Sequence, residues 1–339
     1  MQKIILIGIP IRINLFIDMK KKHLKVLFAI CLLVTALVFT KIIFFQKIEK
    51  PQNGEIFFFE GLRFRIISLS KESNKENEVE IIPLNYYPKN IKNYPQKEIT
   101  VPGSVSYKGI IFNVIQIGEE AFAGSDLESI ILPSTIRTIG YCAFAGCINL
   151  CHIDLPKSLK EIDRNSFFKC TSLAQIFIPS SVEIIGDYSF SGCSNLENIN
   201  VDKENLNYKS INGVLFDREV SQIIKYPEGK KENYKIPNTV KTINTNCFFG
   251  LHETTIILPE SISFIKSSAF DEYYNVKLVC LASKPPEIGM SSFVHEDGIE
   301  IFVRSESYDL YINSVGWKKL NILTINNNKS LLEAKWNQK

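Results

Sequence analysis

Apolar positions recur along this chain with a period much longer than that of a helix or a strand. Phe122, Phe144, Phe167, Phe190, Phe248, Phe270 and Phe293 share one place in a repeated phrase, at successive steps of 22, 23, 23, 58, 22 and 23 residues. The residues before each Phe repeat as well: Ile117-Gly118-x-x-Ala121, Ile139-Gly140-x-x-Ala143, Ile162-Asp163-x-x-Ser166, Ile185-Gly186-x-x-Ser189. Self-similarity at a fixed period of this size predicts a β-rich solenoid, in which each unit buries its apolar face only by stacking on its neighbours. Such an array presents a long surface rather than a closed cleft.

The second half of each unit reads Leu-x-x-Ile-x-Leu/Ile-Pro, as in Leu150-x-x-Ile153-x-Leu155-Pro156 and Leu173-x-x-Ile176-x-Ile178-Pro179. Leu127-x-x-Ile130-x-Leu132-Pro133 is the same with a loop one residue shorter. Alternation around the Ile and Leu predicts a strand with one buried face. The Pro ends it, because it donates no ladder hydrogen bond. A turn with one inward anchor follows, at Thr135-Ile136, Ser158-Leu159 or Ser181-Val182. Stacked coils of 22–23 residues then form a parallel sheet with ~4.8 Å between rungs.

The flanks break the period. Residues 46–54 are polar and read as a linker. Residues 55–116 alternate like strands, with a hairpin about Gly61, and are expected to form an N-terminal β cap. Residues 117–298 carry the repeats. The long step hides an insertion at about 203–233, expected as a β-hairpin turning at Asp217-Arg218-Glu219. Residues 299–325 are expected as a C-terminal cap, with Tyr308, Leu310, Tyr311 and Trp317 at helix-like spacing, and 326–339 as a polar tail.

These phrases resemble the BspA-type leucine-rich repeat. The resemblance rests on Ile-Gly-x-x-Ala-Phe-x-x-Cys-x-x-Leu-x-x-Ile-x-Leu-Pro-x-Ser at Ile139–Ser158, on Gly213-Val214-Leu215-Phe216 with Tyr226-Pro227-x-Gly229-Lys230, and on Pro285-Pro286 with Gly316-Trp317. Asp163 and Asn244 stand where the pattern has Gly, and Asp202 where it has Pro. The resemblance implies a leucine-rich repeat array of secreted or cell-surface type, from host-associated bacteria or some protists. It implies binding to host matrix or other proteins, no shared catalysis, and no particular binding residues.

Charge and the N-terminus narrow this. The first 44 residues carry seven cations against Asp18 alone, about +6, so the rest of a chain of net charge +3 is near −3. A folded part without a basic stripe argues against nucleic-acid binding. Lys20-Lys21-Lys22-His23-Leu24-Lys25 followed by the apolar run Val26–Phe39 reads as a signal peptide or signal-anchor spanning residues 1–45. Val34-Thr35-Ala36 offers a cleavage site, whereas extension through Phe45 past Lys41 gives a membrane anchor over residues 24–45. Met19 makes residues 1–18 a candidate over-long start. Any membrane contact is expected through this segment alone.

Candidate chemistry is sparse. Cys147, Cys170 and Cys193 share one repeat position and are expected as stacked, buried thiols. Cys142, Cys147, Cys151 and His152 lack a paired C-x-x-C spacing, so no metal or other cofactor is expected. No nucleophile elbow, H-E-x-x-H or phosphate loop is present, so the chain is read as no enzyme. The outward strand positions carry the functional expectation: Ser129 and Ile131, His152 and Asp154, Gln175 and Phe177, Asn198 and Asn200, Thr255 and Ile257. Ile131, Phe177 and Ile257 are apolar where solvent is expected, and a polar rim around apolar residues marks an interaction surface. The expected function is therefore adhesion or protein binding outside the cell. A spacing or self-associating, envelope-tethered array is the alternative.

The export reading has a direct test. A chain starting at Lys47 should remain in the cytoplasm of a producing cell, whereas the full chain should leave it. Equal export of both would remove the basis for a surface location.

Overall fold

A computed structural model describes residues 50–70, 76–84, 94, 96–293 and 298–325. Apart from Lys50 they belong to one unit within Pro51–Lys339. The expected signal segment and polar tail lie outside the described residues. Among the described residues no helix is long and apolar enough to cross a membrane.

The unit is the β-rich solenoid that the repeat predicts. Each coil contributes two short parallel strands to two separate rows. One row runs Ile110–Ile117, Thr138–Ile139, Glu161–Ile162, Ile184–Ile185. The other begins Glu98–Thr100, Ser129–Ile131, His152–Ile153 and continues in Gln175–Ile178 and Asn198–Val201. Register is repeat-exact, with Ile117, Ile139, Ile162 and Ile185 side by side. The region expected as a cap does more than close the end. Its strand Glu98–Thr100 pairs with Ser129–Ile131 as a first rung of one row, and the antiparallel strands Ile56–Phe59 and Leu62–Ser68 extend the other row through Glu78–Ile81, which pairs with Ile110–Ile117.

The repeated Phe residues form the spine. Rings 122, 144, 167 and 190 stack at 5.4, 5.3 and 5.7 Å, and rings 248, 270 and 293 at 5.0 and 5.1 Å. These distances approximate the ~4.8 Å rung spacing, so one ring per coil fills the tube without a gap. Other aromatics close the stacks. Tyr94 packs on Phe122 at 4.9 Å, and its hydroxyl donates to Ile82 O and accepts from Arg63 N–H. Burial pushes that hydroxyl up to about 12. Trp317 packs on Phe293 at 5.8 Å and donates its indole N–H to Pro286 O at 2.8 Å.

A feature absent from the repeat consensus appears in the backbone. Glu120, Cys142, Asn165, Tyr188, Asn246, Ser268 and Ser291, each two residues before a Phe, all have φ between 50° and 62°. A non-glycine residue in this left-handed region costs roughly 1 kcal/mol. Stacking offsets it: Glu120, Cys142 and Asn165 N–H donate to Tyr141, Arg164 and Asp187 O of the next coil. Two residues on, Phe122, Phe144 and Phe167 N–H do the same to Ala143, Ser166 and Ser189 O. This side of the coil therefore carries a third ladder of bonds. The tight turn also explains Gly186, where an added Cβ would come within 2.4 Å of Arg164 N.

The insertion is larger than the single hairpin expected. Tyr208–Ile211, Val214–Asp217 and Gln222–Lys225 form a three-stranded antiparallel meander, and the last strand pairs in parallel with Thr242–Ile243. The turn after Asp217 is where the sequence placed it. A second turn sits at Asn212-Gly213, both with positive φ, the geometry a two-residue hairpin favours. The meander interrupts the ladder of the preceding coil, and side chains replace the missing partners. Tyr208 Oη accepts from Ile185 N–H, and Asn205 Nδ2 donates to Pro179 and Val182 O. Glu228 accepts from Gly192 N–H at 2.8 Å and from the equally buried Lys225 at 3.0 Å. The array then resumes through Thr255–Leu258, Val276–Cys280, Ile299–Val303 and Ile322–Thr324. A short helix, Tyr308–Asn313, covers the end, and its Tyr311 hydroxyl donates to Ala282 O.

Phe167 is fully buried between two stacked rings. Phe167→Ala should destabilise the array by about 3–5 kcal/mol, the usual cost of truncating a buried Phe. Because coils support only their neighbours, chemical denaturation should show reduced cooperativity as well as a lower midpoint. An unchanged melting curve would contradict a spine built on these rings.

Candidate functional site

The strand Gln175–Ile178 alternates exposed and buried, with Ile176 and Ile178 inward and Gln175 and Phe177 outward. Its partner repeats the pattern in register: Gln175 lies beside Asn198, and Phe177 beside Asn200. In the preceding coils Ser129 lies beside His152, and Ile131 beside Thr100. Ile131, Asp154, Phe177 and Asn200 therefore occupy one repeat position on one outward face. His152, Gln175 and Asn198 occupy the position two residues earlier.

Exposure separates these residues into an apolar pair and a polar rim. Ile131 is 63% exposed and Phe177 53%. His152 and Asp154 face solvent between them and approach to 3.4 Å. Gln175 and Asn200 are exposed, and Asn198 is half-buried where the insertion begins. Ser210 of the insertion donates its hydroxyl to Ile199 O at 2.6 Å, which fixes the meander against the edge of this face.

Ile257 does not belong with the others. It was expected on the exposed face, yet it is 2% exposed and Thr255 is also buried. It lies beyond the insertion in a separate sheet, beside Val279, which in turn lies beside Phe302. All three are apolar and form a cluster of their own with Ile325. The repeat phrase places a side chain outward, but whether that side chain meets water depends on what its neighbours along the row are.

Cys151 directs its thiol to Glu128 O at 3.3 Å and not to the His152–Asp154 pair. Among the described residues no group of three or more His, Cys, Asp or Glu is placed to hold a metal. A cavity of about 20 Å³ beside the insertion, lined by Ser191, Lys225 and Asn246, is too small for an organic ligand. A wider groove of about 600 Å³ lies along Tyr274, Asn275, Gly298, Glu300 and Asn321. The repeat consensus did not reveal this groove, because its lining comes from the variable residues that enter successive strands.

The cysteine ladder is structural. Cys147, Cys170 and Cys193 donate their thiols to Phe122, Phe144 and Phe167 O at 3.0, 3.1 and 3.1 Å. They are thus hydrogen-bond donors as well as small apolar fillers. Burial pushes Cys147 up to about 11 and Cys193 up to about 12, and raises Cys170 well above the ordinary range. Cys247 is likewise pushed up to about 12, and Cys280 is raised by burial alone.

The repeats match a known family. Residues 115–232 and 226–335 match the BspA type leucine rich repeat region, in six copies. The pneumococcal vaccine antigen PcpA is similar at 16% identity over 81% of this chain and 99% of its own, with a TM-score of 0.42. A leucine rich cell surface protein from Faecalibacterium prausnitzii is similar at 18% identity over 86% and 99%, with a TM-score of 0.42. A leucine-rich repeat protein from Bacteroides ovatus is similar at 21% identity over 79% and 76%, with a TM-score of 0.43. No curated protein matches the chain.

The thiol environments make a checkable pattern. In the folded protein a thiol reagent at mildly alkaline pH should modify exposed Cys151, then half-buried Cys142. The five buried thiols at 147, 170, 193, 247 and 280 should react only on unfolding. Their folded pKa values lie above the ordinary 9.0, so the unfolded chain releases these protons first. Stability from this source should be full below about pH 9 and fall as pH rises toward 11–12. Rapid modification of all of them in the native state would contradict a closed ladder.

Proposed function

The chain belongs to the BspA-type leucine-rich repeat family, and from that premise we propose that it is a non-catalytic, secreted or cell-surface protein whose first coils bind a protein ligand. The observation that carries this reading is the exposed pair Ile131 and Phe177 on one sheet face. The two side chains are two rungs apart, about 9–10 Å at strand spacing. A folded protein gains nothing by holding a phenylalanine in water on the outward face of a strand. The same ring gains contact area when a partner covers it. His152, Asp154, Gln175, Asn198 and Asn200 surround the pair with donors and acceptors, the arrangement of an interface core inside a polar rim. The partner class we assign is a protein of the host extracellular matrix or cell surface. The basic and apolar N-terminal segment supports export.

The test compares the purified protein with Phe177→Ala on a panel of matrix and cell-surface proteins. A central aromatic anchor often contributes roughly 2 kcal/mol or more, so the variant should bind roughly tenfold or more weakly. Its melting temperature should be unchanged, because the ring points away from the coil interior. Normal binding by Phe177→Ala, together with loss of binding on changing the 211–230 insertion, would move the site to the meander.

A further inference from the structure

We propose that the seam between the two ring stacks is a binding site for one water molecule, held by Ser191 and Asn246. The stacks belong to separate cores: Phe190 is the last repeat ring of the first, and Phe248 the first repeat ring of the second. The cavity of about 20 Å³ lies at this seam. It is lined by Phe190 and Ser191 of one coil, Lys225 of the meander and Asn246 of the coil that follows.

The seam exists because a coil is skipped. In the earlier coils Phe122, Phe144 and Phe167 N–H each donate to a carbonyl of the next coil, and Lys169 N–H donates to Ser191 O in the same way. After Phe190 the insertion stands in the place of that next coil. Glu228 takes over Gly192 N–H at 2.8 Å, but Phe190 N–H has no carbonyl of a regular next coil to reach. Side chains at the same place are short of partners too. Ser191 Oγ and both amide atoms of Asn246 are buried without a protein partner, and each residue is only 1% exposed. Native structures satisfy buried polar groups with protein or with ordered water.

The chemistry of these groups selects the occupant. A water needs about 10–15 Å³ of such space, so the cavity has room for one. Asn246 offers an acceptor and a donor, and the Ser191 hydroxyl can act as either. An anion would leave Asn246 Oδ1 unmet. A cation would leave Nδ2 unmet and crowd the Lys225 ammonium. The charges beside the cavity already neutralise each other, with Lys225 Nζ and Glu228 Oε1 at 3.0 Å. A molecule of this size that donates and accepts at once is water. The assignment does not depend on which way the Asn246 amide is turned, because both of its ends lack partners. At this joint the water does what the backbone of a next coil does elsewhere.

A high-resolution crystal structure should show one density peak within hydrogen-bond distance of Ser191 Oγ and the Asn246 amide, with no anomalous signal after a bromide soak. Ser191→Ala gives a second reading in solution, because the sign of its effect depends on occupancy. With the water in place the variant loses a hydrogen bond, and its melting temperature should fall by about 2–4 °C. In a dry cavity the same change would only remove an unmet hydroxyl, and the melting temperature would hold or rise. The proposal is overturned by that second result, by a cavity without density, or by a bromide peak, which would make the occupant an anion.

Discussion

Every other feature of this protein depends on one constraint: a ring must sit above a ring at the spacing of a β rung. The Phe stack at 5.0–5.7 Å and the strand ladders advance together, so neither tolerates a coil of the wrong length. A coil one residue longer would be absorbed in a loop, as at the step from 22 to 23 residues. A shift at the Ile or Phe positions would turn apolar groups to water. The left-handed residues before each Phe show what the constraint costs. The chain accepts an unfavourable backbone angle seven times so that each ring enters the tube, and at Glu120, Cys142, Asn165, Asn246 and Ser268 the same residue donates to the next coil.

The insertion shows the same constraint when it is broken. Between Phe190 and Phe248 the stack is interrupted, and a regular next coil is missing. Backbone groups at the end of a parallel ladder are costly if left unpaired and buried. Asn205, Tyr208, Ser210 and Glu228 meet them individually. The buried Lys225–Glu228 pair fits this role. Its worth lies in satisfying Gly192 N–H and Asn246 O, since a buried ion pair by itself gives little net stability. The third strand of the meander, by pairing with Thr242–Ile243, restarts the rung pattern.

The outward sheet face carries two chemistries at one repeat position. Before the insertion the position holds Ile131, Asp154, Phe177 and Asn200, mixed and exposed. After it the position holds exposed Lys235 and then Ile257, Val279 and Phe302, all three apolar and buried. An inward residue is fixed by the core, so variation collects where the fold does not need a particular side chain. Function in such an array is therefore sought outward.

The solenoid, the coil length, the inward Ile, Leu and Phe and the shared position of the cysteines were all determined by the sequence, because a period of 22–23 residues admits one way to bury a repeated apolar phrase. So was the outward direction of Ile131 and Phe177, which local alternation sets. Tertiary structure decided what no single phrase contains. It fixed the left-handed angle at Glu120, Cys142 and Asn165, residues with no common chemistry, because the angle is set by the next coil's carbonyls. It turned a predicted hairpin into a three-stranded meander, because Gln222–Lys225 finds a partner only when the following coil is in place. It also buried Ile257, whose alternation is that of Phe177. A side chain's direction is a local property of the strand, whereas its exposure depends on everything that packs above it.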